Sequence, residues 1–129
     1  MLVVKTKIGP STIPGAEIGL FADQFIPKGT QIMDCNSNFV ISFTDEQIAN
    51  MTDLQKTFLI HYGFRPTTND FVNPGVMRCS LDNDRFMNHS ETPNSYDNGK
   101  GTWAGRDINP GEEILIDYRA VGCDMSEFS

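Results

Sequence analysis

The chain is poor in cysteine and positive charge and has no long apolar run, and each shortage removes a class of protein. Its 129 residues hold three cysteines, Cys35, Cys79 and Cys123, widely spaced and without a Cys-x-x-Cys pair. An odd, scattered set suits neither a disulfide framework nor a zinc site, so the three read as reduced thiols. Lys and Arg number 10 against 17 Asp and Glu, giving a net charge of −7 and a pI near 4.6. Phosphate binding needs a basic face, so direct contact with nucleic acid is not expected. An acidic surface would attract a basic peptide, although it also serves plain solubility. No segment approaches the ~18 continuous apolar residues of a membrane span. The opening MLVVKTKIG has too short an apolar run for a signal peptide and lacks a cleavage site. The expected location is the cytoplasm, or a host nucleus if the source is viral or eukaryotic.

What is present reads as one folded domain spanning 1–129, since 39% of residues are hydrophobic and 21% charged. Short apolar runs separated by turn residues dominate: Leu2–Val4, Ile18–Ala22, Gln31–Asp34, Phe39–Phe43, Val76–Leu81, Thr102–Ile108 and Glu113–Tyr118. Their length and their Gly and Pro punctuation predict strands, with turns at Pro27-Lys28-Gly29 and Asn109-Pro110-Gly111. The middle differs. Thr44-x-x-Gln47 and Thr52-x-x-Gln55 both match the capping box, in which Thr and Gln side chains satisfy free amides at a helix start. Met51, Leu54, Phe58, Leu59 and Tyr62 then recur at helical spacing. The pattern predicts helices at about 45–50 and 53–62. From 64 to 75 it predicts a loop with a short extended piece. The chain is thus mainly β, with a helical insert at about 44–75 and a short tail at about 119–129.

Two polar constellations stand out from this scaffold. RFMNHSETPN, Arg85 to Asn94, packs Asn, His, Ser and Asn behind Arg-Phe-Met, and GEEILIDY, Gly111 to Tyr118, follows 17 residues later with a terminal phenol. On its own, Asn88-His89 is also consistent with a structural turn, with Asn in an awkward backbone and His satisfied in a core. Asp82-Asn83-Asp84 starts like a calcium loop. Phe86 and Met87 then stand where an oxygen ligand and the turn glycine belong, so no metal is expected.

Three blocks in order carry a resemblance: GLFADQFIPKGTQI (Gly19 to Ile32), RFMNHSETPN, and AGRDINPGEEILIDY (Ala104 to Tyr118). Together they resemble SET-domain protein-lysine methyltransferases, particularly the minimal bacterial and viral type. The resemblance implies a β-clip fold of small curved sheets, with the central and closing blocks threaded past one another in a pseudoknot. It implies S-adenosylmethionine as cofactor, bound on one side, and a lysine entering through a narrow channel from the other. No G-x-G-x-x-G follows a strand and opens a helix, so the common dinucleotide-type cofactor site does not compete. Nor is there a serine nucleophile elbow to pair with His89.

Carried over by position, Asn88 would hold the methionine end of the cofactor with its amide, His89 would present backbone groups to the adenine, and Arg85 opens the same block. Glu17-Ile18-Gly19 stands where the family usually has Gly-x-Gly. Either Glu17 takes an ordinary conformation, with Gly15 relieving the turn, or the site is weakened. Tyr118 would be the catalytic residue. Tyr62 resembles a family tyrosine at the pocket, or else it is a core residue on a helix face. Tyr96 and Trp103 read as packing or rim residues. Phe128 would cover the adenine or belong to a frayed tail. Glu91 replaces a cysteine common in the family, and a Cys-x-Cys tail is missing. No zinc is therefore implied, and the tail or a second subunit, in a homodimer, would close the lysine channel. The implied function is methyl transfer to the ε-amine of a lysine in a basic protein or peptide. The alternative is a non-catalytic SET-like module for peptide binding or interaction. A metal-assisted hydrolase using Asp82, Asp84 and His89 lacks a ligand set.

Overall fold

Small sheets of two or three strands, antiparallel except for one parallel pair, build the described residues. The computed structural model describes residues 1–34, 39–64, 67–68, 71–72, 76–98 and 100–118. Strand β1 (Thr6–Pro10) pairs with β2 (Ile18–Ala22), from Thr6 opposite Ala22 to Pro10 opposite Ile18. The expected strand at Leu2–Val4 is only a single bridge, Leu2 to Met33. Its neighbour TKIGP makes the ladder instead, although it is mostly solvent-exposed. Pairing with the buried β2, rather than its own hydrophobic pattern, makes β1 a strand.

Strand β3 (Gln31–Asp34) leads toward β4 (Val40–Thr44) and helix α1 (Asp45–Ala49), followed by α2 (Asp53–Tyr62). Both capping boxes form as the sequence predicts. Thr44 and Thr52 each accept from the backbone of the Gln three residues on, and each Gln side chain accepts from the Thr backbone in return. Strands β5 (Thr67–Thr68) and β6 (Phe71–Val72) form a two-residue antiparallel pair within the expected loop. β7 (Val76–Ser80) then returns to pair with β4. A 3-10 turn at Asn83–Phe86 runs into β8 (Asn88–His89), followed by β9 (Ser95–Asp97), β10 (Gly101–Ala104) and β11 (Leu115–Ile116). β10 lies between β3 and β9, and β11 pairs in parallel with β8. The predicted runs at 102–108 and 113–118 are shorter as strands, each extended by an isolated bridge: Ile26 to Ile108 and Phe21 to Glu113. The tail 119–129, with Cys123 and Phe128, and Cys35 lie outside the described residues.

The two Gly-Pro turns meet in space. Ile26 and Ile108 exchange backbone hydrogen bonds at 2.8 Å in both directions, and the Lys28 amide donates to Asp107 Oδ1 at 2.8 Å. Under them lies the main core of Leu20, Ala22, Ile26, Ile32, Met87, Ala104, Ile108, Ile114 and Ile116. Burying each large side chain contributes roughly 1.5–3 kcal/mol against leaving it in water. A smaller core of Leu59, Met77 and Cys79 sits under the helical insert, with Phe43, Ile48, Met51 and Tyr62 packed against it.

Candidate active site

The site grows from the parallel pair β8–β11, which brings the central and closing blocks side by side. Leu115 registers with Asn88 and Ile116 with His89, and the Ser90 amide donates to the Ile116 carbonyl at 3.0 Å. Asn94, 2% exposed, fastens the same two segments. Its Nδ2 donates to the Glu113 carbonyl and its Oδ1 accepts from the Leu115 amide, both at 2.8 Å. Ser95 Oγ adds a bond to the Leu115 carbonyl at 2.8 Å. A buried asparagine joined to one strand by both ends of its amide fixes register more firmly than apolar packing alone.

Beside this pair opens a cleft of ≈ 500 Å³. Seven of the eight residues singled out from the sequence line it: Glu17, Ile18, Tyr62, Arg85, Asn88, His89 and Tyr118. Gly19 does not. It is buried one residue deeper, and a Cβ built there would meet the Glu113 carboxylate, with Cδ at 2.9 Å. Its lack of a side chain therefore makes room for a glutamate. The left-handed backbone of the preceding turn falls on Gly15, at φ 84°. Glu17 and Ile18 are exposed at the rim.

Asn88 turns its amide nitrogen inward. Nδ2 lies 2.9 Å from the Ile18 carbonyl, 3.0 Å from Ser11 Oγ and 3.1 Å from Glu113 Oε2. Glu113 also accepts from Ser11 Oγ at 2.7 Å, the Thr12 amide at 2.7 Å and Thr12 Oγ1 at 2.6 Å. Burial pushes this carboxyl up, but the bonds from Thr12, Ser11 and Asn88 outweigh it and hold the group below its ordinary value. Ser11, Thr12 and Glu113 were not among the residues the sequence pointed to. The one available signal was an acid leading into the apolar run Ile114–Ile116, where a strand has no use for charge.

Tyr118 is fixed at both ends. Its phenol donates to the Met87 carbonyl at 2.6 Å, and its amide donates to His89 Nδ1 at 3.1 Å. The backbone amide can only donate, so Nδ1 is the acceptor and the imidazole proton sits on Nε2. The Asp117 carboxylate, 3.6 Å from the same Nδ1, is therefore a neighbour of that nitrogen and not its hydrogen-bond acceptor. Tyr62 does two jobs that the sequence could not separate. It packs on the insert's small core, and its ring meets Phe86 edge-on at 5.6 Å where it borders the cleft. Arg85 is held over the 3-10 turn, with Nη1 donating to the Leu81 and Asp82 carbonyls and the guanidinium stacked 4.4 Å from the Phe86 ring centre.

A second, smaller cavity of ≈ 120 Å³ lies against the same wall. His61, Tyr62, Arg85 and Tyr118 border both spaces, while Met87, Ile116, Asp84, Asp97 and Thr102 border only the smaller one. Burial pushes the Asp84 carboxyl up, partly offset by the hydrogen bond from Ser80 and the nearby N-terminal ammonium. Among the described residues, the fully buried Thr102 hydroxyl has no hydrogen-bond partner. No metal-binding cluster of His, Cys, Asp or Glu occurs among them either.

The SET domain family model matches residues 17–119. That is most of the chain, and the chain belongs to the SET-domain family. No curated protein matches it by sequence. Solved structures share its fold at low identity. One is the Polycomb repressive complex 2 of Chaetomium thermophilum in an autoinhibited conformation bound to S-adenosylmethionine, with a TM-score of 0.65 and 17% identity. The match covers 96% of this chain and 16% of that one, so the protein spans about a sixth of its relative's length. Another is a candidate histone methyltransferase of Plasmodium falciparum, with a TM-score of 0.59, 22% identity, and 89% and 93% of the two chains covered.

Proposed function

We propose that this protein transfers a methyl group from S-adenosylmethionine to the ε-amine of a lysine in a basic protein or peptide. The observation that carries the reading is the position of Tyr118, which borders the large cleft and the small cavity at once. A transfer between a cofactor on one side and an amine on the other needs a group at that wall.

The residues fit the cofactor. A cleft of ≈ 500 Å³ lies within the ~300–1,000 Å³ of small-molecule sites. Asn88, with its nitrogen spent inward, leaves an amide oxygen as the acceptor that an α-ammonium requires. Gly15, Ala16, Glu17 and Ile18 line the cleft together with Arg85, Asn88 and His89. S-adenosylmethionine, when bound, supplies a methyl group activated by an adjacent sulfonium.

The remaining chemistry falls to the chain. A lysine amine at pH 7 is mostly protonated, and reaching the attacking neutral form costs about 4.6 kcal/mol from its ordinary pKa. The small cavity, apolar at Met33, Met87 and Ile116, disfavours the charged form by desolvation. The Tyr118 phenol donates its hydrogen bond to the Met87 carbonyl, which aims its oxygen as an acceptor for weak C–H···O contacts with a polarised methyl. Fixing that phenol in advance aligns the two reactants, which is where much of the rate of such a transfer originates. The acidic surface, with a net charge of −7, favours a basic substrate.

The competing reading is a SET-like module that binds peptides without turnover. Transfer of labelled methyl from S-adenosylmethionine into a panel of lysine-rich proteins separates the two. The wild-type protein is expected to label at least one of them, and Tyr118→Phe to label none. A folded, cofactor-binding wild type that labels nothing across the panel would favour the module.

A further inference from the structure

We infer that Glu113 is a positioning residue of the cofactor site: it locks the Asn88 amide so that its oxygen, and neither N–H, serves the cleft. The inference rests on the cofactor reading above and adds to it a residue that never touches the ligand.

The orientation of Asn88 follows from its neighbours. The Ile18 carbonyl and the Glu113 carboxylate can only accept hydrogen bonds. Ser11 Oγ has a proton, but spends it on Glu113 Oε2 at 2.7 Å, so toward Asn88 it too is an acceptor. All three atoms within 3.1 Å of the amide nitrogen therefore demand a donor. A flipped amide would set its oxygen against three oxygens. The network permits one orientation, set by the Ile18 carbonyl together with the ionised Glu113, which has claimed the serine proton.

The cost of that arrangement points to a purpose. Glu113 is 7% exposed, and among the described residues no Lys or Arg forms an ion pair with it. A buried carboxylate held by hydrogen bonds alone is an expensive way to fill space, since an apolar residue would serve a strand better. The chain makes room for it by keeping Gly19 bare, and satisfies it with Ser11 and Thr12 from about a hundred residues away. What the carboxylate does beyond the fold is act on Asn88. Hydrogen bonds drawn from an amide N–H by an anion push electron density onto the amide oxygen, which then accepts more strongly. The ligand group matched to that oxygen is a cationic N–H donor, here the α-ammonium of the cofactor's amino-acid end.

The test compares two ligands that differ in that end. S-adenosylhomocysteine carries the ammonium on a neutral thioether, whereas 5′-methylthioadenosine keeps the adenosine and the neutral thioether but lacks the amino-acid portion. Affinities of the wild type, Glu113→Gln and Ser11→Ala are measured for both, by calorimetry and by ligand-observed NMR for the weaker ligand. The fold of each variant is checked by circular dichroism. Glu113→Gln is expected to weaken S-adenosylhomocysteine about tenfold or more, the scale of one charge-assisted hydrogen bond, and to leave 5′-methylthioadenosine within about twofold. Ser11→Ala is expected to move the same way by a few-fold, and it decides the matter alone if Glu113→Gln does not fold. Equal loss for both ligands would reduce Glu113 to a prop for the cleft, and no loss for either would remove its role. A folded wild type that binds neither ligand would overturn the cofactor reading itself, and the role of Glu113 with it.

Discussion

The closing block and the helical insert are held together by opposite kinds of hydrogen bond. Around β8 and β11 the partners are far apart in sequence: Ser11 and Glu113 by 102 residues, Asn88 and Ile18 by 70. In the insert they are neighbours, as in Thr44 with Gln47 and Thr52 with Gln55, three residues apart. Packing follows the same division. Among the described residues, nine buried side chains form the main core, and three form the core of the insert. Helix α2 leaves Leu54 at 84% exposure and Phe58 at 48%. The contrast teaches that the cleft's geometry is bought with long-range order, while the insert assembles from local signals and leans on the rest.

Breaking either side of that comparison has predictable consequences. The largest should come from Tyr118→Phe, which keeps the ring beside His89 but loses the phenol that Met87 holds. Turnover should fall by about 10²-fold or more, the scale of removing one preorganised polar group at a reacting centre. Affinity for S-adenosylmethionine should stay within about twofold. An equal fall in affinity would make Tyr118 a binding residue instead.

Gly19→Ala comes next, because its new Cβ has nowhere to go but into the Glu113 carboxylate. A stability loss of about 1–3 kcal/mol in urea unfolding is expected, as for other overpacked sites, together with weaker cofactor binding. Intact binding in a destabilised variant would uncouple the Glu113 network from the cleft.

Thr52→Ala probes the other region. Losing this N-cap should cost about 1 kcal/mol, visible as a lower melting temperature, with cofactor affinity unchanged. A matching loss of affinity would mean that the insert and the cleft are not separable.

The smallest effect is in acid. The Glu113 carboxyl is held below its ordinary value, so the folded state binds its proton less readily than the unfolded chain does. Its contribution to stability is therefore complete above the ordinary carboxylate pKa and is lost as pH falls through the lower folded value. Acid unfolding of the wild type should be steeper in that window than for Glu113→Gln, and parallel curves would contradict the assignment.

Legibility in the sequence divides along the same line. The insert could be read from local chemistry: two capping boxes and a helical stripe gave both helices to within a residue. β2 and β3 were equally readable, because Ile18–Ala22 and Gln31–Asp34 are apolar runs between turn residues. β1 was not, since TKIGP is a strand only by virtue of its partner. At the site, Asn88, His89 and Tyr118 were visible through the blocks that contain them. Glu113 was in view within GEEILIDY, yet its meaning depends on Ser11 and Thr12, and nothing in a linear pattern announces a partner about a hundred residues away. Gly19 drew attention for a cofactor cradle, whereas the room it leaves is for Glu113.

The most direct test of the central claim is a calorimetric titration of the purified protein with S-adenosylmethionine, run in parallel on Asn88→Ala and Tyr118→Phe. The account predicts saturable binding to the wild type, its loss in Asn88→Ala, and its retention in Tyr118→Phe. A folded wild type that takes up no cofactor, or an Asn88→Ala variant that binds as well as the wild type, would contradict it.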